Sequence, residues 1–173
     1  MEKIFYTEKQ NFASTEDALR FLLPRYFQIT DTEIYRNENG KPFLRNTQGL
    51  FFSVSHTKEL LIFAFSDENV GIDGELCNRA IRLNTLLKQF PQEERTEIKN
   101  EQDFLRHWVV KESAVKWLGG TLAKDLHKLA FVQNELFYDG IQIPVFLTQK
   151  EVFGHFLCVC GERNFENAEI IKF

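Results

Sequence analysis

The N-terminal part of the chain carries one helical and two strand patterns of apolar and polar residues. Ser14 followed by Asp17 is typical of a helix N-cap with an acidic first turn, and apolar side chains follow as far as Pro24. The alternating Phe, Ser, Val and Ser at 52–55 and the apolar run at 60–65 each predict a strand. We therefore expect a short helix that ends at Pro24, followed by a hairpin.

A third strand pattern follows the hairpin and carries two acidic residues. In the run of Val, Gly, Ile, Asp, Gly and Glu at 70–75, Val70 and Ile72 occupy one face of a strand. Asp73 and Glu75 then share the other face.

Helical spacing returns in the second half of the chain. Residues 83–99 and 103–118 each predict a helix, the second of which ends at Gly119-Gly120. Strand patterns follow at 129–132, 142–147 and 155–160, and Asp139-Gly140 is typical of a hairpin turn.

The order of helix and then strands thus occurs twice, before and after about Glu75, without a residue-level repeat. This order predicts an α+β fold with approximate halves 1–76 and 77–173. No linker rich in Pro, Gly or Ser separates the halves, so we expect a single domain over 1–173.

Composition excludes several classes of protein. The chain is 43% hydrophobic and 27% charged, which is typical of a globular protein, and its formal net charge is -4. Lys and Arg are scattered, so general nucleic-acid binding is not expected. The N-terminus lacks the apolar core of a signal peptide, and no run is long enough for a membrane helix. The three cysteines, Cys77, Cys158 and Cys160, cannot all pair within the chain. Cys158 and Cys160 alternate in an apolar stretch without metal-ligand spacing, so we expect buried free thiols and a cytoplasmic protein.

Asp73 and Glu75 are the first candidates for chemistry. Two apart on a strand, their carboxylates project from one face about 7 Å apart. A hard divalent cation such as Mg²⁺ would relieve their repulsion and bind substrate phosphate. The alternative is a solvated strand end without a ligand.

The segment 103–118 carries three further charged candidates. Lys111 falls within the apolar stripe of the helix, so it must reach water or pair with an anion. Glu112 and Lys116 lie one turn apart on an adjoining face, where a surface ion pair is the alternative to a role in chemistry.

Four short motifs in this order resemble those of the 4'-phosphopantetheinyl transferases, most closely the surfactin-synthetase-activating type. They are Gly40-Lys41-Pro42, Phe52-Ser53-Val54-Ser55-His56, Val70-Gly71-Ile72-Asp73-Gly74-Glu75, and Trp108-Val109-Val110-Lys111-Glu112-Ser113-Ala114-Val115-Lys116. The resemblance covers roughly residues 16–122. It implies two similar α+β halves packed as a pseudo-dimer, and transfer of the phosphopantetheine arm of coenzyme A to a serine of an acyl or peptidyl carrier protein.

The resemblance also implies a catalytic set. Asp73, Glu75 and Glu112 would hold Mg²⁺ on the coenzyme A pyrophosphate. Glu112 would also take the serine proton, directly or through a water. Lys116 would bind the departing phosphate and offset its charge.

Besides Lys116, the resemblance implies coenzyme A contacts for Arg20, Lys41, Ser55 and His56. Gly74 departs from the family pattern, which usually has an aliphatic residue there, and the chain before Arg20 lacks a basic pair that helps to bind the nucleotide. We expect an acidic carrier helix to contact the Arg79–Arg82 segment, and the protein to be a monomer.

Two other functions compete with transfer. One is a family member without turnover that serves as a coenzyme A or carrier-protein binding module. The other is a pyrophosphate hydrolase that uses the glutamates of a charged segment, Glu93, Glu94, Glu97 and Glu101. For these four we favour a solvated helix face.

Overall fold

The computed structural model describes residues 1–45 and 47–173, and it confirms the α+β class. The elements before residue 77 are β1 Lys3–Glu8, α1 Thr15–Phe27, β2 Ile34–Arg36, β3 Pro42–Leu44, β4 Phe51–His56, β5 Leu60–Ser66 and β6 Val70–Leu76. Those after it are α2 Leu83–Leu86, α3 Gln92–Arg95, α4 Glu101–Leu118, α5 Leu122–Asp125, β7 Leu129–Val132, β8 Glu135–Tyr138, β9 Ile141–Gln142, β10 Phe146–Val152, β11 His155–Gly161 and β12 Glu169–Lys172. Short 3-10 turns occupy Lys9–Asn11 and Leu87–Gln89.

Two main sheets hold the site, and each contains strands from both sides of the expected boundary at residue 76. The first sheet has the order β12-β1-β5-β4 and the second β10-β11-β6. β6 pairs antiparallel with β11, and β12 pairs parallel with β1. The parts 1–76 and 77–173 are therefore interlocked, and the pseudo-dimer arrangement stays a prediction.

The first helix begins where the sequence predicts but ends later. The Ser14 side chain accepts a hydrogen bond from the Asp17 amide at 3.1 Å, as expected of an N-cap. Pro24 lies inside α1, which continues to Phe27, so the predicted end is wrong. A proline removes one hydrogen bond to the carbonyl four residues earlier, and here that residue, Arg20, is exposed to solvent.

The predicted helix at 83–99 is wrong, because the chain there forms only short helical turns separated by Phe90 and Pro91. The predicted strand at 142–147 is also wrong in part, since β9 ends at Gln142 and β10 begins at Phe146. The Asp139-Gly140 turn is confirmed, with both residues at positive φ.

Helix α4 is confirmed, with ends set by local chemistry. The Asn100 side chain caps its first turn, and Gly119 ends it with φ 68°. α4 lies against β6 so closely that a Cβ on Gly71 would be 2.0 Å from the Ser113 carbonyl oxygen. Glycine at this position thus sets how near the acidic strand lies to the helix.

β4 and β6 belong to different sheets but meet along a seam of side-chain hydrogen bonds. Ser53 Oγ accepts from the Ile72 amide at 3.0 Å, and Ser55 Oγ accepts from the Gly74 amide at 3.1 Å. The constant offset of 19 residues means that the two strands run in the same direction. The seam connects the two sheets beside the acidic end of β6.

Cys158 and Cys160 are buried free thiols, as predicted, and Cys77 is a partly exposed free thiol. None of the helices in residues 1–45 and 47–173 is long and apolar enough to span a membrane.

Candidate metal and catalytic site

Three carboxylates meet where the end of β6 faces the middle of α4. Asp73 and Glu75 come from the strand and Glu112 from the helix, and one oxygen of each lies within 4.8 Å of the others. Elsewhere in the described chain, no other set of three His, Cys, Asp or Glu side chains lies close enough together to bind a metal. The structure thus brings together the three residues for which the sequence predicts Mg²⁺ binding.

Asp73 is the most buried of the three residues, since only 4% of it is exposed. Its Oδ1 accepts from Ser55 Oγ at 2.9 Å and from Lys116 Nζ at 2.7 Å. Its Oδ2 is buried and has no hydrogen-bond partner among the described residues. A buried carboxylate oxygen without a donor is costly unless a cation binds it, and oxygen-only donors are those that Mg²⁺ prefers. The residues therefore fit a magnesium ion.

The other two carboxyl groups both have a raised pKa, as expected of acids that are buried close to one another. Burial, and next the charge of Asp73, raise the pKa of Glu112 to about 7, while a hydrogen bond from Trp108 acts in the opposite direction. Burial also raises the pKa of Glu75, against the charge of Arg79. Arg79 forms an ion pair with Glu75 at the rim of the cluster. The cluster holds more negative charge than its surroundings neutralise.

Lys116 lies against Asp73 rather than against its neighbour on the helix. Its ammonium donates to Asp73 and, at 3.0 Å, to the Ile72 carbonyl. Throughout the described residues, no ion pair joins Glu112 to Lys116, so the surface-bridge interpretation is wrong. The lysine connects α4 to β6 and places positive charge at the centre of the site.

The ammonium of Lys41 points into the protein instead of towards the carboxylates. It donates to Asn69 Oδ1 at 2.6 Å and to the carbonyls of Val70 and Trp117 at 3.2 and 3.3 Å. Burial lowers its pKa to about 8. In this arrangement Lys41 connects the loop before β3 to the C-terminal end of α4.

Ser55 and His56 differ in their access to solvent although they are neighbours. Ser55 is 2% exposed, and its hydroxyl is already bonded to Asp73 and Gly74. His56 is exposed, and its Nε2 lies 2.8 Å from Thr15 Oγ1. Partial burial of the imidazole, and next the charges of nearby Lys9 and Lys116, lower the pKa of His56.

An open cleft of about 530 Å³ begins beside the carboxylates. Its lining consists of His56, Thr57, Lys58, Glu75, Leu76, Asn78 and Arg79. Arg20 lies elsewhere, on the exposed side of α1, where it bonds Asp17 at 3.1 Å. Of the residues with an implied coenzyme A contact, His56 therefore lines the cleft and Arg20 does not.

Sequence reasoning missed a buried charged group on the other side of α4. Lys111 and Glu94 are both fully buried and bond each other at 2.9 Å, and His107 Nδ1 lies 3.0 Å from the same carboxylate. The prediction that Glu94 belongs to a solvated face is wrong, because it supplies the anion that Lys111 requires. The lysine within the apolar stripe was the available signal for such a partner.

Gly74, the departure from the family pattern, has a packing explanation. A Cβ there would lie 2.5 Å from Leu157 Cδ2 and 3.1 Å from Ile62 Cδ1. These two side chains occupy the space that a larger residue would need.

The sequence is similar to that of known 4'-phosphopantetheinyl transferases. The sequence profile of the 4'-phosphopantetheinyl transferase superfamily matches residues 69–153. The 4'-phosphopantetheinyl transferase gsp of Aneurinibacillus migulanus is 27% identical over 135 residues, covering 72% of this chain and 56% of that protein. The 4'-phosphopantetheinyl transferase Sfp of Bacillus subtilis (strain 168) is 28% identical over 134 residues, with coverages of 73% and 59%. The 4'-phosphopantetheinyl transferase ffp of Bacillus subtilis is 26% identical over 159 residues, with coverages of 84% and 70%.

The chain thus spans less than two thirds of the length of the first two relatives. The matched span 69–153 contains β6 and α4, and with them Asp73, Glu75, Glu112 and Lys116. The part of the chain that carries these four residues thus matches the 4'-phosphopantetheinyl transferase superfamily, and most of the chain is similar to known 4'-phosphopantetheinyl transferases.

Proposed function

We propose that this protein transfers the 4'-phosphopantetheine group from coenzyme A to a serine of an acyl or peptidyl carrier protein. The observation that carries the proposal is the cluster of Asp73, Glu75 and Glu112, in which a buried Asp73 oxygen has no hydrogen-bond partner among the described residues. These three residues would hold Mg²⁺, which when bound supplies positive charge against the pyrophosphate of coenzyme A. β6 and α4 of one chain provide all three, so the cluster needs no second subunit.

Glu112 is the group suited to accept the proton of the carrier serine, directly or through a water. Burial holds its pKa at about 7, in the range where a carboxylate is an effective base near neutral pH. The serine oxygen forms a bond to the β-phosphorus as the bond from that phosphorus to the bridging oxygen breaks. The electron pair of that bond leaves with adenosine 3',5'-bisphosphate.

Lys116 stabilises the charge that develops on the leaving phosphate. Its ammonium already lies 2.7 Å from Asp73 at the centre of the cluster, so it needs no large movement to serve both groups. Catalysis of this kind depends on positioning and charge neutralisation, as phosphoryl transfer generally does.

The test is mass spectrometry of apo carrier proteins after incubation with this protein, coenzyme A and Mg²⁺. We expect the carrier to gain one phosphopantetheine unit, and excess chelator to prevent the gain. Asp73→Ala and Glu112→Gln should abolish it, whereas Glu135→Gln, at an exposed glutamate remote from the cluster, should not.

Coenzyme A binding without transfer to any of several carriers would contradict the proposal. It would favour the binding module instead. The hydrolase alternative predicts release of phosphate products without a carrier and sensitivity to Glu93→Gln, and neither is expected here.

A further inference from the structure

The two serines of β4 occupy equivalent places in the seam with β6. Each is buried, at 4% exposure for Ser53 and 2% for Ser55. Each hydroxyl oxygen accepts a hydrogen bond from one backbone amide of β6, that of Ile72 or that of Gly74. Ser53 and Ser55 therefore make equivalent hydrogen bonds to the backbone of β6.

Among the hydrogen bonds of the described residues, only Ser55 has a second one, to the Asp73 carboxylate at 2.9 Å. A serine hydroxyl carries one proton. The Gly74 amide can only donate, and the carboxylate oxygen of Asp73 accepts, so the hydroxyl donates its one proton in the hydrogen bond to Asp73. Ser55 then has no proton left to donate to a phosphate of coenzyme A.

The bond also determines which oxygen of Asp73 is available. Ser55 and Lys116 both donate to Oδ1, so the carboxylate is held at one end. Oδ2, which is buried without a partner among the described residues, is left for a cation. Loss of a hydrogen bond that orients a ligating side chain typically lowers metal affinity 10- to 100-fold.

We propose that Ser55 is a positioning residue whose hydroxyl orients Asp73 for metal binding and does not donate a hydrogen bond to coenzyme A. The inference rests on the proposed function, because it needs the metal site formed by Asp73, Glu75 and Glu112. It gives Ser55 a different role from the phosphate contact that the family resemblance implies.

The test measures binding of Mn²⁺, a spectroscopic probe for the site, to the full chain without coenzyme A by electron paramagnetic resonance. Ser55→Ala should weaken binding roughly 10- to 100-fold. Ser53→Ala should leave the affinity unchanged within about twofold, because within residues 1–45 and 47–173 its hydroxyl has no hydrogen bond to a carboxylate. Ser55→Thr, which keeps the hydroxyl, should restore binding.

Folding is monitored in the same variants. Each alanine leaves one buried β6 amide without its acceptor, so both variants should lose stability in urea denaturation, and Ser55→Ala should lose more because it also removes the bond to Asp73. Double-mutant cycles with Asp73→Ala in the presence of chelator should then show coupling for Ser55 and additivity for Ser53.

Three results would overturn the proposal. They are wild-type Mn²⁺ affinity in Ser55→Ala, equal weakening in Ser53→Ala, and weaker coenzyme A binding by Ser55→Ala in chelator. If the unmodified protein binds Mn²⁺ no better than Asp73→Ala does, the proposed metal site itself fails. In that case the double-mutant cycle alone decides whether Ser55 interacts with Asp73. Additivity of the two substitutions would exclude the interaction, and coupling between them would support it.

Discussion

At the scale of single residues, Glu112 should make metal binding depend on pH. Its pKa of about 7 means that the carboxyl is largely protonated at pH 6 and largely ionised at pH 8. Because Mg²⁺ binds the ionised form, binding at low pH must release the proton. The affinity should therefore rise roughly tenfold from pH 6 to pH 8, the change in the ionised fraction of one such group.

Isothermal titration calorimetry in two buffers of different ionisation enthalpy measures that proton directly. We expect release of close to one proton per ion at pH 6 and of almost none at pH 8. In Glu112→Gln the release at pH 6 should fall for whatever binding remains. An affinity independent of pH in the unmodified protein would contradict the assignment.

Residue identities could be predicted from sequence, whereas the directions of some side chains could not. Strand alternation places Asp73 and Glu75 on one face, and the family resemblance adds Glu112, which the structure brings to the same cluster. Lys41 and Ser55 point inward to partners at the end of α4 and on β6. These partners are distant in sequence. No local pattern carries that information.

At the scale of elements, the approach of α4 to β6 depends on Gly71. A methyl group there would lie 2.0 Å from the Ser113 carbonyl, which is backbone and cannot rotate away. Gly71→Ala should therefore push α4 outward and separate Glu112 from Asp73. We expect a loss of more than about 3 kcal/mol in the free energy of unfolding, together with loss of Mn²⁺ binding.

Gly74→Ala is the matched control for that substitution. Its methyl group would meet only the ends of the Leu157 and Ile62 side chains, which can rotate. We expect a cost of about 1 kcal/mol, at the low end for an overpacked core. Urea denaturation compares the free energies of unfolding of the two variants. Equal losses would show that the close approach of α4 is not what requires glycine at position 71.

Breaking the buried ion pair between Glu94 and Lys111 should cause an unusually large loss in the free energy of unfolding. Glu94→Gln leaves the Lys111 ammonium fully buried without its anion. Loss of one partner from a buried pair typically costs about 3–5 kcal/mol. Urea denaturation of Glu94→Gln should show a loss of this size, with the double variant Glu94→Gln/Lys111→Met less destabilised. A single variant as stable as the double one would exclude this role for Glu94.

The same region explains why some elements could be predicted and others could not. Both ends of α4 carry local signals, a capping Asn100 and a glycine in the left-handed conformation at Gly119. The segment 83–99 has helical spacing, but Pro91 interrupts it and Glu94 turns inward to reach Lys111. Its shape is set by contacts with α4 rather than by its own sequence.

At the scale of the whole molecule, the two sheets are connected by strands distant in sequence. β12 lies beside β1, and β11 lies beside β6. A buried cluster with members such as Ile4, Ile62, Ile72 and Leu157 fills the space that these strands share. The acidic end of β6 is thus fixed from three sides: β11, α4 and the serines of β4. Pairing between strands so far apart has no counterpart in local sequence patterns.

The net charge of -4 means that attraction of an acidic carrier must come from a local basic surface. The exposed segment after β6 is the candidate nearest the cleft, but its two arginines are not equivalent. Arg79 pairs with Glu75, so its reversal would also disturb the metal site. Arg82 is exposed at the start of α2 and is the cleaner probe.

Arg82→Glu should raise the KM for an acidic carrier roughly tenfold at low salt, with the coenzyme A affinity unchanged, because charge complementarity acts on encounter with the carrier. The difference from the unmodified protein should shrink as salt rises. Arg163→Glu is the matched control, since Arg163 pairs with Asp67 in the turn that precedes β6, at the opposite end of the strand from Arg82. Steady-state kinetics with one carrier at two ionic strengths measures both variants. An unchanged KM in Arg82→Glu, or an equal rise in Arg163→Glu, would place the carrier on another surface.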